Sequence, residues 1–318
     1  MELDKTEITI RERSTLELLD LSLVVIKRHA WPLTGAALIV GGPMMLTNVI
    51  VTAWMVNADS LSTMMDRTDT KAGAHWRHSW HLLMLWCLEF PLASLPITIY
   101  LGGQTFFEQL SLRKLIRRLQ PLSLRSVYVL GLVRLGLAGL VAEAFVRTTV
   151  TFDPLMELLI MSLIIFGLAM AIRAFSPFAP EILGLEACPL KSTDGKNVTY
   201  WRRANWLHQA MVAEHIARFV ACAVAAVCIG LMILSMEVFV LGVTLGRWQW
   251  STLFDHLLFP LTLWATGIFV AVFRFLAYLD TRIRLEGWEV ELQLRAEAQR
   301  MENAIAPPIS EPVQEVAV

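Results

Sequence analysis

Three histidines, His75, His78 and His81, stand three residues apart in GAHWRHSWHLLMLWCLEF, residues 73–90. Imidazoles at short spacing suit a zinc site, and Asp66 and Asp69 lie near enough in sequence to add carboxylate ligands. On a helix, steps of three spread the rings over roughly 120°, so at most two could share one metal. Trp76, Trp80 and Trp86 alternate with the histidines, as in an aromatic belt at the level of lipid headgroups. The pattern favours the wet edge of a membrane helix over a metal centre. No cofactor is expected.

Other charged residues raise the same question of position. Glu89 and Arg134 lie inside apolar runs, where ionisable groups are costly and usually find partners. Counting about 1.5 Å per residue across a core of about 30 Å puts their backbones within roughly 6 Å in depth. They are expected to form a buried ion pair, with Gly131, Gly136 and Gly139 letting the two helices approach closely. Arg202 and Arg203, between Trp201 and Trp206, and Arg282 and Arg284 further on, are candidates for headgroup phosphates or a docking partner. Positive-inside anchoring is the plainer alternative for them.

The elements that must place these residues are apolar. Of 318 residues, 56% are hydrophobic and 17% charged, against about a quarter charged in a soluble domain. Runs long enough to cross a bilayer fall near 32–56, 81–103, 126–146, 154–173, 214–240 and 252–276. Prolines 43, 91, 96 and 260 predict kinks within them. The connections alternate in charge. Lys5, Arg11, Arg13, Lys27 and Arg28 precede the first run, and Arg113, Lys114, Arg117, Arg118 and Arg125 follow the second. Lys191, Lys196, Arg202 and Arg203 follow the fourth, and Arg282, Arg284, Arg295 and Arg300 the sixth. The other connections are poor in Lys and Arg, so both termini are expected in the cytoplasm of a bacterial inner-membrane protein. Cys87, Cys188, Cys222 and Cys228 show no zinc or disulfide spacing.

Before the first run, Ser14 and Glu17 form a capping-box pattern that starts a helix near Thr15. Leu16, Leu19, Leu23 and Ile26 make one apolar stripe on it, and a turn is expected at Trp31-Pro32. Such a helix should lie on the cytoplasmic membrane surface. The expected fold is therefore all-α and integral to the membrane. It comprises an N-terminal amphipathic helix within 1–30, a six-helix transmembrane domain over 31–276, a cytoplasmic helix over 277–302 and a disordered tail over 303–318.

The two ends also carry a resemblance. Arg11, Glu17-Leu18-Leu19-Asp20 and Lys27-Arg28 at the start, with Tyr278, Asp280, Arg282, Arg284, Glu286, Gly287 and Trp288 at the end, resemble a group of bacterial and archaeal multi-pass proteins. That group is related to the membrane domain of some glycerophosphoryl diester phosphodiesterases. The usual Pro after the first Arg and Gly before the Glu are missing. The resemblance implies an integral membrane module that partners other proteins, and it does not imply phosphodiesterase chemistry.

Enzyme motifs are absent: no nucleotide-binding G-x-x-x-x-G-K-[ST], no H-E-x-x-H and no G-x-S-x-G. The expected function is a non-enzymatic membrane component of a larger assembly, with a transporter or channel for a small solute or lipid as the alternative. Expected partners are the bilayer and other membrane or cytoplasmic proteins, and no nucleic acid.

Overall fold

The computed structural model describes residues 13–57, 69–105, 108, 110–148, 159–191, 198–246 and 253–286. All regular structure among them is helical. The rest of the expected cytoplasmic helix and the tail, 287–318, lie outside the described residues. Contacts divide the chain into one unit of residues 14–278 and another of 1–13 with 279–318.

Helix α1 (Thr15–Thr52) starts at the expected capping box: Glu17 N–H donates to Ser14 Oγ (3.3 Å) and Ser14 N–H to Glu17 Oε2 (3.0 Å). The expected surface helix and first span are two helices joined across a kink at His29 (φ −115°, ψ 27°), where the first was expected to end, two residues before Trp31. Pro32 lacks an N–H and its ring crowds the Arg28 carbonyl, so the helix yields just before it. Leu18, Ser22 and Val25 turn into the protein, while Leu16 and Leu23 of the apolar stripe stay exposed.

A short α2 (Trp54–Asn57) follows. Helices α3 (Asp69–Ala93) and α4 (Leu95–Thr105) make the second run, broken at Ser94 between Pro91 and Pro96. The expected 104–125 connection is largely helical: α5 (Leu112–Leu119), a 3-10 turn (Gln120–Leu122), α6 (Ser123–Ser126) and a π-helical stretch (Val127–Val133) run head to tail. The chain then bends by 59° into α7 (Ala138–Thr148). At the bend Leu135 has φ 59°, and a Cβ on Gly136 would lie 2.4 Å from the Leu130 carbonyl oxygen and 3.2 Å from that of Leu88. Only glycine allows that approach.

A π-helical stretch (Leu159–Phe166) leads into α8 (Gly167–Phe175). The expected polar loop holds α9 (Ala179–Gly184) and α10 (Tyr200–Gln209). Helix α11 (Val212–Leu245) ends at Gly246 with φ 63°, and a π-helical turn (Phe254–Leu258) opens α12 (Phe259–Glu286).

Four stretches are long and apolar enough to cross a membrane: Thr15–Val56, Ala74–Thr105, Val212–Leu245 and Phe254–Glu286. The bent pair Leu112–Val133 and Ala138–Val146 makes a fifth if it counts as one crossing. Leu159–Phe175 is shorter, below the usual minimum of about 17 to 20 residues once its ends fray. The rest of that expected span, 154–158, lies outside the described residues. Hydroxyls inside these helices bond back to carbonyls four residues earlier, as with Ser22 to Leu18 and Thr52 to Asn48, which satisfies them without water.

Candidate functional site

The site grows out of the break in the second run. Pro91 has no N–H, so the Cys87 carbonyl four residues back loses its helical donor. Arg173, at the end of α8, donates to the carbonyls of both Cys87 and Leu88. Arg274 of α12 reaches the same break from another side. It donates to Ser94 Oγ (2.8 Å) and Glu181 Oε1 (2.8 Å), with its guanidinium 5.5 Å from the centre of the Phe90 ring. Arg134, where the π-helical stretch ends, donates to the Ser176 carbonyl and hydroxyl and to Tyr200. Arg218 of α11 pairs with Glu214 (2.5 Å) and donates to the Ala277 carbonyl (3.4 Å).

These four arginines line one cavity of about 90 Å³, whose walls are otherwise mostly apolar, with Phe90, Phe178, Phe219 and Phe273 among them. Arg134, Arg173 and Arg218 are all at least nine-tenths buried. Glu181 pairs with Arg274 and Glu214 with Arg218. Among the described residues neither Arg134 nor Arg173 forms an ion pair, and Arg134, Arg173 and Arg274 are close enough to repel one another. Buried polar atoms of the lining without a hydrogen-bond partner include Arg173 Nε, a donor, and His215 Nδ1. His215 Nε2 faces the Leu207 carbonyl at 3.4 Å, so it carries the proton and Nδ1 is an open acceptor. The cavity therefore holds buried positive charge and unused hydrogen-bonding capacity.

The expected polar loop meets the cavity at Pro177 and Phe178, just before α9. Pro180 near the start of α9 suits a helix's first turn, and Ala179–Leu183 are fully buried. Phe178 stacks on His208 (5.5 Å) and meets His215 and Tyr278 edge-on (5.0 and 5.8 Å). His208 accepts from the Phe178 N–H at Nε2 (3.2 Å) and meets the Ala204 carbonyl at Nδ1 (2.6 Å). Burial first, then the nearby charges of Arg134 and His215, push its pKa down to about 4, so it is neutral at neutral pH. Burial likewise pushes up the Tyr200 hydroxyl and the Cys188 thiol.

The expected pair Glu89–Arg134 does not form. Glu89 accepts from Asn48 Nδ2 (2.8 Å), while Arg134 is held by Ser176 and Tyr200. The helices do neighbour each other, and a Cβ on Gly139 would come within 2.7 Å of Leu88. The depth count assumed a straight third span, whereas the bend at Leu135 turns Arg134 toward α8 and α10. The three histidines each turn to a different partner, and Asp66 lies outside the described residues. His75 pairs with Asp255 (2.5 Å), His78 faces the Thr52 carbonyl (3.2 Å) and His81 pairs with Glu143, with His78 and His81 fully buried. Among the described residues no three His, Cys, Asp or Glu converge as a metal site.

Of the headgroup candidates, Arg203 is bound by both Glu186 oxygens (2.6 and 2.9 Å) and covers Trp206, while Arg202 is exposed. Within the other unit Arg282 pairs with Glu286 (2.6 Å) and Arg284 with Asp280 (3.0 Å). There Arg13 N–H donates to Asp280 (2.8 Å) and Arg284 to the Arg13 carbonyl (2.8 Å). The sequence signal for the missed residues was present. Arg218 and Arg274 lie inside apolar runs, the criterion that singled out Glu89 and Arg134.

Compared with family models, curated proteins and solved structures, the chain matches none.

Proposed function

We propose that this membrane-embedded helical protein binds, and passes across or within the bilayer, a ligand bearing a negative charge, with the four-arginine cavity as its binding site. The observation that carries the reading is that Arg134 and Arg173, both buried in the lining of an apolar cavity, form no ion pair among the described residues. Each buried charge at mid-bilayer costs about 2.5–3.5 kcal/mol even on the lenient insertion scale, and a bound anion offsets that. Broken helices at substrate level are a feature of carriers, and here the α3–α4 break borders the cavity. The reading favours a transporter over an assembly component.

The finer arrangement belongs to the same proposal. The chain passes six times through a bacterial inner membrane with both ends cytoplasmic, and its leading helix rests its exposed Leu16 and Leu23 on the surface. A role in a larger assembly is the second reading. It is supported by α11, whose Val224, Met232, Met236 and Phe239 are exposed to whatever surrounds the bundle.

Purified protein titrated with inorganic phosphate at constant ionic strength, against chloride, tests the anion site by thermal unfolding. Saturable stabilisation that Arg173→Gln abolishes is expected. Equal responses to both salts in the wild type sink the reading.

A further inference from the structure

We infer that the ligand of the arginine cavity is an anionic phospholipid, and that it enters sideways from the bilayer through a cleft between α11 and α12. The inference rests on the anion-site reading and adds the identity of the ligand and its route.

The cleft is set by where the two helices touch. At one end Arg218 reaches the Ala277 carbonyl (3.4 Å). Further along, Gly230 lies against Thr266, a Cβ there being 3.4 Å from the hydroxyl, and Thr262 donates to Glu237 (2.7 Å). Between these points Phe219 and Cys222 of α11 and Val270 and Phe273 of α12 line the cavity. Beyond Cys222 the same face of α11 continues through Ala225 and Ala226, which are only half-buried. A helix keeps one face at steps of three and four residues, so small side chains stand where large ones would close the gap. The adjoining Val220, Val224 and Val227 are exposed. In a membrane that surface meets acyl chains, with no aqueous path needed.

The chemistry of the cavity has two parts, and a phospholipid supplies both. Guanidiniums bind phosphate oxygens by charge-assisted, often bidentate hydrogen bonds, and Arg173 Nε has no other partner. His215 Nδ1 is an open acceptor in the same lining, suited to a hydroxyl beside the phosphate. A free phosphate meets the guanidiniums alone, and the aromatic and aliphatic walls add nothing to its binding. They suit the glycerol and first methylenes of a lipid, each buried CH₂ contributing about 0.8 kcal/mol.

Native mass spectrometry of the protein from nanodiscs containing phosphatidylglycerol and phosphatidylcholine tests the inference. Thermal-shift titrations with inorganic phosphate and glycerol 3-phosphate form the soluble arm. The expected result is retained phosphatidylglycerol in preference to phosphatidylcholine, with retention reduced about tenfold or more in Arg173→Gln. A second variant, Ala226→Trp, touches no arginine and fills the cleft. It should lower lipid retention and leave soluble-phosphate binding unchanged. If phosphate or glycerol 3-phosphate binds but phosphatidylglycerol is not retained, the lipid inference fails and the anion site stands. If neither binds, both fail. Phosphatidylglycerol held equally by wild type, Arg173→Gln and Ala226→Trp is surface lipid, and that too overturns the inference.

Discussion

His208 illustrates how a single residue reports on the site. It is buried beneath the arginines, stacked on Phe178, with both ring nitrogens facing backbone groups. Its folded pKa is about 4 against an unfolded value of 6.5. Between those pH values the unfolded chain binds more proton than the folded one, so stability falls as pH drops through that window. The loss approaches about 3 kcal/mol across the whole window. His208→Gln keeps a donor and an acceptor and removes the titration. Its stability, measured by denaturation in detergent between pH 7 and pH 4, should fall less steeply than the wild type's. Parallel curves would show that His208 does not titrate with folding. Sequence gave no hint of this role, because His208 reads as one polar residue in a polar segment and its burial depends on α9 folding under the bundle. The Ser14–Glu17 cap, by contrast, was legible because both halves of that interaction sit within one turn of chain.

Among the elements, the prolines of the second run were visible in sequence and a kink there was expected. The donor that fills it was not, since Arg173 lies 86 positions from Cys87 and only tertiary packing brings them together. That explanation makes a specific prediction. Arg173→Met leaves the Cys87 and Leu88 carbonyls without their donor in a place where water is scarce, and should cost about 1–3 kcal/mol for each carbonyl left unsatisfied. Pro91→Ala restores an N–H that the Cys87 carbonyl can accept. In that background Arg173→Met should cost about 1 kcal/mol less. Strictly additive losses in the four-protein cycle would mean that Arg173 does not substitute for the missing helical bond. The third run was the harder one to read. Its turn at Leu135 takes a left-handed conformation without a glycine to announce it, and the flanking π-helical stretch has the same apolar composition as an α-helix. Both features shift side chains around the axis, and so the ion pair inferred from depth alone went to the wrong partners.

At the scale of the whole membrane unit, two layers of contacts bear on how often the chain crosses. His75–Asp255, His78–Thr52, His81–Glu143 and Trp80–Ser162 join the end of the first run, the start of the second, the end of the third and the starts of the fourth and sixth. A second set joins His29 with Tyr100 (3.4 Å), Arg173 at the end of the fourth run with the Cys87 carbonyl within the second, and Arg218 at the start of the fifth with Ala277 at the end of the sixth. These contacts fit successive runs that alternate in direction, the arrangement proposed from the Lys and Arg distribution. Alternation alone does not separate six crossings from four. If both the bent pair over 112–146 and the short Leu159–Phe175 dip into the membrane and return, the parity of every later segment is unchanged. Reporter fusions at Asp69, Ser123, Asp194 and Gln249 then read outside, inside, inside and outside in either case. The connection between those two segments distinguishes them. A fusion at Asp153 reads outside if both segments cross and inside if both return. The six-pass arrangement predicts outside, because Glu143, near the end of the bent pair, is paired with His81 in the layer that also holds Asp255. Buried ion pairs of this kind draw their strength from a shared, water-poor depth, so the helix ends that carry them must emerge on the same side. An inside signal at Asp153, with the other four fusions unchanged, would reduce the protein to four crossings with two re-entrant segments. The arginine cavity would then sit at the meeting point of those segments.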